Sequence, residues 1–214
     1  MGDRWCRDCQ SRVPFVTEPF CQTCGIPTKQ YRTCDNCKSE PPSYRKMRSW
    51  AVFDFPIQNA LHTLKYRKNL GIGDAIAVQM KDFVNKLKWD IDLIIPVPLG
   101  KDRLKERGYN QIGLVARPLA YEIGLQYSPG ALWKIRETRS QVGLSISQRR
   151  ENVQNAYQAN PEIVKRKSIL LMDDVATTGS TIQSCTETLL SAGAREVYVL
   201  TIARALSHHD LNRV

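Results

Sequence analysis

The fold of this chain is decided by the stretch Ile169-Leu-Leu-Met-Asp173-Asp174-Val-Ala-Thr177-Thr178-Gly179-Ser180-Thr181. Its apolar start is typical of a strand that is buried on both faces, and its end leads into a helical pattern. Two adjacent carboxylates and a short loop of small hydroxyl residues lie between them. Ligands of open parallel sheets bind beyond the carboxyl ends of the strands, so the stretch predicts a binding site at this point.

The loop after the carboxylates has the composition of a phosphate site. The N–H groups of residues 176–181, with the hydroxyls of Thr177, Thr178 and Thr181, can surround a phosphate dianion at a helix N-terminus. Asp173 and Asp174 would repel that phosphate, so they should face sugar hydroxyls or a hydrated divalent cation. This combination predicts a 5-phosphorylated ribose. A plain helix cap would explain one hydroxyl residue but not four, and no Gly-Lys-Ser/Thr of a Walker loop follows.

Outward from this stretch the chain alternates strand and helix patterns. Strands are predicted at 49–55, 92–97, 131–135, 168–172 and 196–202. Helices are predicted from Pro56 through Leu64, at 74–87, from Gly108 through Leu119, and at 181–190, with Gly71 and Gly73 as a break before the second. The order predicts an α/β fold, with a mostly parallel twisted sheet and helices on both faces.

Length and composition bound the alternatives. A chain of 214 residues can hold one substantial domain and a small appendage, and 42% apolar with 24% charged residues excludes wholesale disorder. No apolar stretch approaches the ~20 residues of a membrane span, and the N-terminus lacks the apolar core of a secretory signal. We therefore expect a cytoplasmic protein without membrane insertion. Its net charge of +10 suits a phosphate-bearing partner, or simply a solvated surface.

Six of the seven cysteines lie in the first 37 residues, as the pairs Cys6–Cys9, Cys21–Cys24 and Cys34–Cys37. The two-residue spacing lets both sulfurs of a pair bind one tetrahedral zinc ion, and without an export signal disulfides are a poor explanation. We predict that Cys21, Cys24, Cys34 and Cys37 form one structural zinc site. Cys6 and Cys9 either belong to a second site that lacks two ligands or cap the first. The chain then divides into a zinc-ribbon-like module, 1–47, and a main domain, 48–214.

A second predicted strand end is also rich in functional groups. The run Ile94-Ile-Pro-Val-Pro98 precedes Arg103, Arg107 and Gly108. The two arginines, four residues apart, could form one guanidinium face over a pyrophosphate, and Gly108 would admit backbone contact. The alternative is a basic solvent-exposed loop before a helix.

The polar segment after residue 135 suits a mobile lid. It contains Arg136, Arg139 and Gln141, one glycine and little apolar periodicity, so it could close over a polyphosphate and exclude water. An exposed surface loop is the simpler interpretation.

These motifs carry a family resemblance. The string Asp173-Asp-Val-Ala-Thr-Thr-Gly-Ser-Thr181 resembles the phosphoribosyl pyrophosphate (PRPP) signature of type I phosphoribosyltransferases. With the cysteine pairs, Arg107-Gly-Tyr-Asn-Gln111 and the Thr138-x-x-Gln-x-Gly-Leu-Ser145 segment, the whole chain resembles the ComF (ComFC) family, which is linked to bacterial DNA uptake and natural transformation. Members of that family carry a further Cys-x-x-Cys pair ahead of the Cys6–Cys9 position. The resemblance therefore implies an upstream start or the loss of one of two zinc sites.

The resemblance implies a PRPP- and Mg²⁺-dependent phosphoribosyltransferase with a type I fold and an unidentified acceptor. Asp173 and Asp174 would be catalytic, and the acceptor would be recognised by residues near 50–70, where Lys65-Tyr-Arg67 is basic and aromatic. PRPP would contact Val175, Ala176, Thr177, Thr178, Gly179, Ser180, Thr181, Arg103, Arg107, Gly108, Arg136, Arg139 and Gln141. The alternative is a non-catalytic PRPP-binding protein that handles single-stranded DNA and contacts the DNA-uptake machinery.

Overall fold

The computed structural model describes residues 5–67, 71–136 and 155–206. Its centre is a five-stranded sheet in the order β1-β7-β6-β2-β3, with every neighbouring pair parallel. These strands are β1 Lys46–Val52, β2 Leu93–Pro96, β3 Gln126–Tyr127, β6 Ser168–Ala176 and β7 Glu196–Arg204. A separate antiparallel ribbon pairs β4 Leu132–Lys134 with β5 Tyr157–Ala159. The predicted parallel α/β architecture is confirmed.

Eight helices lie in the described parts of the chain. They are α1 Arg7–Ser11, α2 Asp35–Ser39, α3 Ile57–Tyr66, α4 Gly71–Leu87, α5 Lys101–Arg107, α6 Gly113–Ile123, α7 Pro161–Val164 and α8 Ser180–Ser191, with a 3₁₀ turn at Pro129–Ala131. None of these described helices combines the length and the apolarity that crossing a bilayer requires.

The core consists of two apolar clusters, one on each face of the sheet, because successive side chains of a strand point to opposite faces. In β6, Leu170 and Met172 join the cluster formed with α3, α4 and α6. Ile169 and Leu171 join the second cluster, which includes Leu189 of α8. All four side chains are fully buried. Helices thus cover both faces, and the open carboxyl edge of the sheet is where its chemistry can lie.

The N-terminal segment packs onto the edge strand β1. Val52 N–H donates to the Pro14 carbonyl at 2.7 Å, and Val16 N–H donates to the Trp50 carbonyl at 3.3 Å. Trp5 lies edge-on to Trp50 with ring centroids 6.3 Å apart and is buried in the first core cluster. The N-terminal segment therefore shares a hydrophobic core with the sheet.

The predicted break at Gly71 and Gly73 is wrong, because both glycines lie inside α4. A Cβ on Gly73 would stand 2.5 Å from the Leu114 carbonyl oxygen. Gly73 is therefore required by the close approach of α4 to α6, and glycine here marks a helix contact instead of a turn.

The predicted helix from Gly108 to Leu119 is also corrected. Gly108 ends α5 in the left-handed region, with φ of 79° and its N–H bonded to the Leu104 carbonyl at 2.8 Å. The next helix, α6, begins only at Gly113. The sequence pattern missed α5 because its seven residues, Lys-Asp-Arg-Leu-Lys-Glu-Arg, bury no side chain and so show no apolar periodicity.

Two strands, β1 and β6, differ most from their predicted bounds. β1 starts at Lys46, three residues before the predicted Ser49, and β6 continues beyond Met172 through both aspartates to Ala176. The extension of β6 follows from its pairing with β7, which continues to Ala176 opposite Arg204. Asp173 and Asp174 therefore lie on a strand whose backbone is fixed by its neighbour.

Candidate active site and metal centre

Four cysteines of the N-terminal segment form a closed cluster. The sulfurs of Cys21, Cys24, Cys34 and Cys37 all lie within 4.8 Å of one another, and Cys24 Sγ is 3.8 Å from Cys34 Sγ. A tetrahedral zinc ion with Zn–S bonds of ~2.3 Å separates its sulfurs by ~3.8 Å, so this donor set fits structural zinc. The structure thus brings the four predicted cysteines together.

Backbone donors prepare this cluster for a metal ion. The N–H groups of Cys34 and Cys24 point at Cys21 Sγ at 3.3 and 3.5 Å. Burial alone would raise the pKa of Cys21, but these donors outweigh it and lower that pKa. Burial raises the pKa of Cys24 and of Cys37. A bound cation is therefore what allows all four sulfurs to be thiolates together.

Cys6 and Cys9 have the geometry of half a zinc site. Cys9 N–H points at Cys6 Sγ at 3.4 Å, the same arrangement as in the Cys21–Cys24 pair. Within the described residues they do not join the four-cysteine cluster. Cys185 is fully buried on α8.

The second site lies at the carboxyl edge of the sheet, where Asp174 is surrounded by donors. Lys65 Nζ, from the last turn of α3, lies 3.0 Å from Asp174 Oδ2, and Gln111 Nε2 donates to the same oxygen at 3.1 Å. Val175 N–H donates to Asp174 Oδ1 at 2.7 Å. Burial would raise the pKa of Asp174, but the Lys65 ammonium and these hydrogen bonds outweigh it and lower that pKa. Asp174 is thus held in one orientation by hydrogen bonds and is paired with the positive charge of Lys65.

Asp173 has the opposite electrostatic environment. Its Oδ1 accepts a hydrogen bond from Asp174 N–H at 2.9 Å. Burial and the neighbouring Asp174 charge raise the pKa of Asp173, and Lys65 offsets this only in part. One cation therefore serves two carboxyl groups, and the pair divides into an ionised Asp174 and an Asp173 that tends to hold a proton.

The loop after the acids has the conformation that an anion site needs. Gly179 has φ of 79° and begins α8, with its carbonyl accepting from Gln183 N–H at 2.8 Å. The hydroxyls of Thr178 and Ser180 lie 3.0 Å apart, while Thr177 and Thr181 are half-buried. α8 has 12 residues, and the N–H groups of its first turn have no acceptor within the helix itself. The predicted loop and the predicted acids are adjacent at one strand end.

The residues 107–111 connect this edge of the sheet. Tyr109 Oη donates to the Leu64 carbonyl at 2.6 Å, Asn110 Nδ2 donates to the Val97 carbonyl at 2.9 Å, and Gln111 reaches Asp174. Arg107 Nη1 donates to Gln111 Oε1 at 2.9 Å, and its guanidinium lies 5.2 Å from the centre of the Tyr66 ring. The segment therefore joins α3, the end of β2 and the acid pair.

The predicted basic residues differ in how closely they approach the acids. Arg107 reaches them through Gln111, and its Nε is buried without a partner among the described residues. Arg103 is exposed on α5 and has no hydrogen bond or ion pair to a described residue. Gly108 ends α5 and is exposed. Arg107 is thus the arginine that the described fold brings to the site.

The predicted lid falls mostly on residues 137–154, so Arg139 and Gln141 lie outside the described residues. Arg136 is described and is exposed just after β4. The described residues on either side of this segment are paired, because Ile135 N–H donates to the Ala156 carbonyl at 2.9 Å.

Sequence reasoning missed the roles of Lys65 and Gln111. Lys65 was recognised only as part of a basic and aromatic helix end, yet its side chain is 17% exposed and paired with Asp174. Its position next to the buried stripe of Leu61 and Leu64 was the available signal, because a lysine at the border of an apolar stripe has its stem buried. Gln111, 6% exposed, is the last residue of the Arg107–Gln111 motif, but nothing in that motif predicts its contact with Asp174.

Comparisons with known proteins match both the N-terminal segment and the sheet-forming part of the chain. Residues 1–38 match the double zinc ribbon domain, and residues 113–212 match the phosphoribosyl transferase domain. The DNA utilization protein YhgH of Escherichia coli O157:H7 is 31% identical over 202 residues, which cover 92% of this chain and 88% of that protein. Competence protein F of Haemophilus influenzae is 31% identical over 209 residues, covering 94% and 90%.

More distant similarities follow the same pattern. Competence protein ComFC of Bacillus subtilis is 25% identical over 211 residues, covering 95% of this chain and 85% of that protein. The solved glutamine PRPP amidotransferase of B. subtilis, complexed with ADP and GMP, aligns with a TM-score of 0.46 at 19% identity. The alignment covers 66% of this chain and 30% of that one, and this similarity is too distant to bear on function. The identities and the near-complete coverage of the first two relatives show that this chain belongs to the ComF family of competence proteins, with a double zinc ribbon ahead of a type I phosphoribosyltransferase fold.

Proposed function

We propose that this protein binds PRPP with Mg²⁺ at the carboxyl edge of its sheet and transfers the phosphoribosyl group to an acceptor. The observation that carries the proposal is the strand end at Asp173 and Asp174, where two half-buried carboxyl groups directly precede a hydroxyl-rich loop and a helix N-terminus. A diol-binding acid pair beside a phosphate loop matches a ribose that is phosphorylated at one end and activated at the other.

The loop 175–181 is the proposed site of the 5-phosphate. The backbone N–H groups of residues 176–181 are the proposed donors, together with the hydroxyls of Thr178 and Ser180, whereas the Val175 N–H already donates to Asp174 Oδ1. Gly179 provides the positive φ that turns the chain from β6 into α8. These contacts would hold the sugar so that its anomeric carbon faces the acids.

The acids act on the sugar ring during transfer. The bond between C1 and the pyrophosphate oxygen breaks, a bond from C1 to the acceptor nucleophile forms, and the ring gains positive charge in between. Asp174, kept ionised by Lys65 and Gln111, stabilises that charge, and Asp173 accepts a hydrogen bond from a ribose hydroxyl once its proton is lost. Carboxylate oxygens are also suitable ligands for Mg²⁺, which would neutralise charge on the departing pyrophosphate.

The pyrophosphate would lie on the side of Arg107. Its guanidinium is held near the acids by Gln111 and Tyr66, and its buried Nε lacks a partner among the described residues. Arg103, Arg136, Arg139 and Gln141 are proposed to approach when ligand binds, and the last three would help to exclude water.

Pyrophosphate release tests the activity directly. Full-length protein is incubated with PRPP, Mg²⁺ and single bases, nucleosides, amines or oligonucleotides, and PRPP binding is measured in parallel by calorimetry. The double variant Asp173→Asn/Asp174→Asn should lose PRPP binding, whereas Asp90→Asn, an exposed acid ahead of β2, should not. PRPP binding that is undiminished in the double variant would remove the acids from the site and would contradict the proposal.

A second function is favoured by an aromatic and basic surface on the zinc ribbon. Arg48 lies 4.5 Å above the Phe20 ring, Phe20 packs edge-on against Tyr31 at 6.2 Å, and Tyr31 is 55% exposed. Aromatic faces beside cations stack the bases of single-stranded nucleic acid. The names of the relatives, DNA utilization protein and competence protein, agree with a role in DNA uptake.

The two functions are separated by a binding experiment. Fluorescence anisotropy with a labelled oligo-dT should show affinity that falls steeply with salt, because phosphate contacts release counterions. Tyr31→Ala should weaken this binding, whereas Tyr121→Ala, a more exposed tyrosine on α6, should leave it unchanged. Tight PRPP and oligonucleotide binding without pyrophosphate release from any acceptor would favour a non-catalytic PRPP-binding factor.

A further inference from the structure

Arg204 is a buried cation without a carboxylate partner. It is the last residue of β7 and only 7% of its surface is exposed. Its Nη1 donates to the Cys24 carbonyl at 2.8 Å, whereas its Nε has no hydrogen-bond partner among the described residues. No acidic side chain in the described parts of the chain forms an ion pair with it. An isolated buried guanidinium is strongly destabilising, so an anionic group should lie close by.

The metal centre is the anionic group that the fold places beside Arg204. Four thiolates outnumber the positive charges of a Zn²⁺ ion, so a loaded Cys21–Cys24–Cys34–Cys37 site is a dianion. Cys21 and Cys24 are buried, the other two cysteines are half-buried, and the Cys24 carbonyl accepts the Arg204 hydrogen bond. Cys24 thus contacts both groups, because its sulfur belongs to the metal site and its carbonyl accepts the hydrogen bond from Arg204.

We infer that Arg204 is the counter-charge of the zinc–tetrathiolate centre and fixes that centre to the carboxyl edge of the sheet. Arg204 lies opposite Ala176 in the sheet, and the following residue, Ala205, donates its N–H to the Ala176 carbonyl at 3.0 Å. Ala176 is the last residue of β6, directly before the hydroxyl-rich loop. The pairing therefore joins the zinc ribbon to the strand ends that hold the proposed phosphate site, and it does not depend on catalysis.

Comparison of zinc-loaded with zinc-free protein separates this charge role from packing. In the zinc-loaded full-length protein, Arg204→Met should unfold at a lower temperature than wild type, measured by circular dichroism. After chelation of the zinc, Arg204→Met should unfold at the same temperature as wild type or at a higher one. The reason is that the wild type then keeps an unpaired buried charge and the variant does not. Arg204→Lys keeps a charge but not the planar guanidinium, and should be intermediate in the loaded form.

Zinc retention supplies a second measurement. Competition with a chromophoric chelator should show zinc affinity weakened by about 10–100-fold in Arg204→Met, the range typical of lost outer-shell partners. Arg48→Met is the matched control: this arginine also lies beside the zinc ribbon, but it is half-exposed and solvent screens its charge, so its effect should be smaller.

Three results would overturn the inference. One is an Arg204→Met variant that holds zinc as tightly as wild type. Another is a decrease in unfolding temperature of the same size with and without zinc, because lost packing acts equally in both forms. A third is an Arg204→Met variant that fails to fold in both forms while Arg204→Lys loses the same stability with and without zinc.

Discussion

At the scale of single residues, the acid pair depends on one lysine. Lys65 and Asp174 are 17% and 13% exposed, so solvent compensates little if either is lost. Gln111 and Val175 donate to Asp174 but carry no charge. Lys65 is therefore the group that allows Asp174 to be ionised next to a second carboxyl group, and the sharing of one cation between two acids determines how both respond to mutation and to pH.

Replacement of Lys65 should expose this dependence. Lys65→Met leaves Asp174 as a buried charge without its partner, so we expect the free energy of unfolding at pH 7 to fall by about 3 kcal/mol. Removing the charge as well, in Lys65→Met/Asp174→Asn, should restore most of that loss, as urea unfolding can measure. The control is Lys81→Met. The side chains of Lys81 and its partner Glu122 are 40% and 31% exposed, so the loss of this ion pair should lower the free energy of unfolding by less than about 1 kcal/mol. Equal losses in the single and double variants would show that Lys65 acts through packing alone.

The two aspartates should contribute to stability with opposite pH dependence. The folded pKa of Asp174 is lowered, so its contribution is present above its unfolded pKa, roughly 4, and is lost as the pH falls through the folded value. The folded pKa of Asp173 is raised, so its contribution is complete below roughly pH 4 and is lost as the pH rises through the folded value. Asp173→Asn should therefore make the ligand-free protein more stable at pH 8, while Asp174→Asn should not. Unfolding curves from pH 4 to 9 would test this, and a less stable Asp173→Asn protein at pH 8 would contradict it.

At the scale of helices and strands, glycine is required at two positions for different physical reasons. Gly179 has positive φ and open space where a Cβ would stand, whereas Gly73 has no positive φ but faces the Leu114 carbonyl at 2.5 Å. Gly179→Ala should thus cost only backbone strain, about 1 kcal/mol, and should weaken phosphate binding by disturbing the loop. Gly73→Ala should force α4 from α6 and cost about 1–3 kcal/mol without a direct effect on the loop. Urea unfolding and PRPP calorimetry on both variants distinguish the two; a Gly73→Ala protein as stable as wild type would show that the helices can separate freely.

Sequence patterns succeeded where one element carries its own signal. The apolar run into β6, the hydroxyl loop and the cysteine spacing are local, and the structure places each of them as predicted. The patterns failed for α5, which buries nothing, and at Gly73, whose role depends on its contact with Leu114 of α6. Lys65 and Gln111 were missed for the same reason, because their function is a contact with Asp174 that only the tertiary fold creates.

At the scale of the whole molecule, the zinc ribbon and the sheet are held together by bonds near the metal centre. Met47 N–H, on β1, donates to the Thr23 carbonyl at 2.7 Å, between two of the zinc ligands. Ser43 exchanges hydrogen bonds with Gln183, in the first turn of α8, at 3.1 and 2.7 Å. Gly25 packs so tightly on β1 that a Cβ there would lie 2.7 Å from the Met47 carbonyl oxygen. The metal centre therefore borders both the edge strand and the helix that follows the phosphate loop.

Zinc removal should consequently affect residues beyond the ribbon. After chelation, we expect amide hydrogen exchange to accelerate in 5–45, because these short helices bury no side chain and depend on the metal. Faster exchange should extend to β1 and to the first turn of α8, which lose the Thr23 and Ser43 contacts, while β2 and the centre of β6 stay protected by their own core. The matched control is Cys185→Ser, which alters a buried cysteine outside the cluster and should leave zinc content unchanged. Acceleration confined to residues before Tyr44 would show instead that the ribbon and the sheet are energetically independent despite their shared contacts.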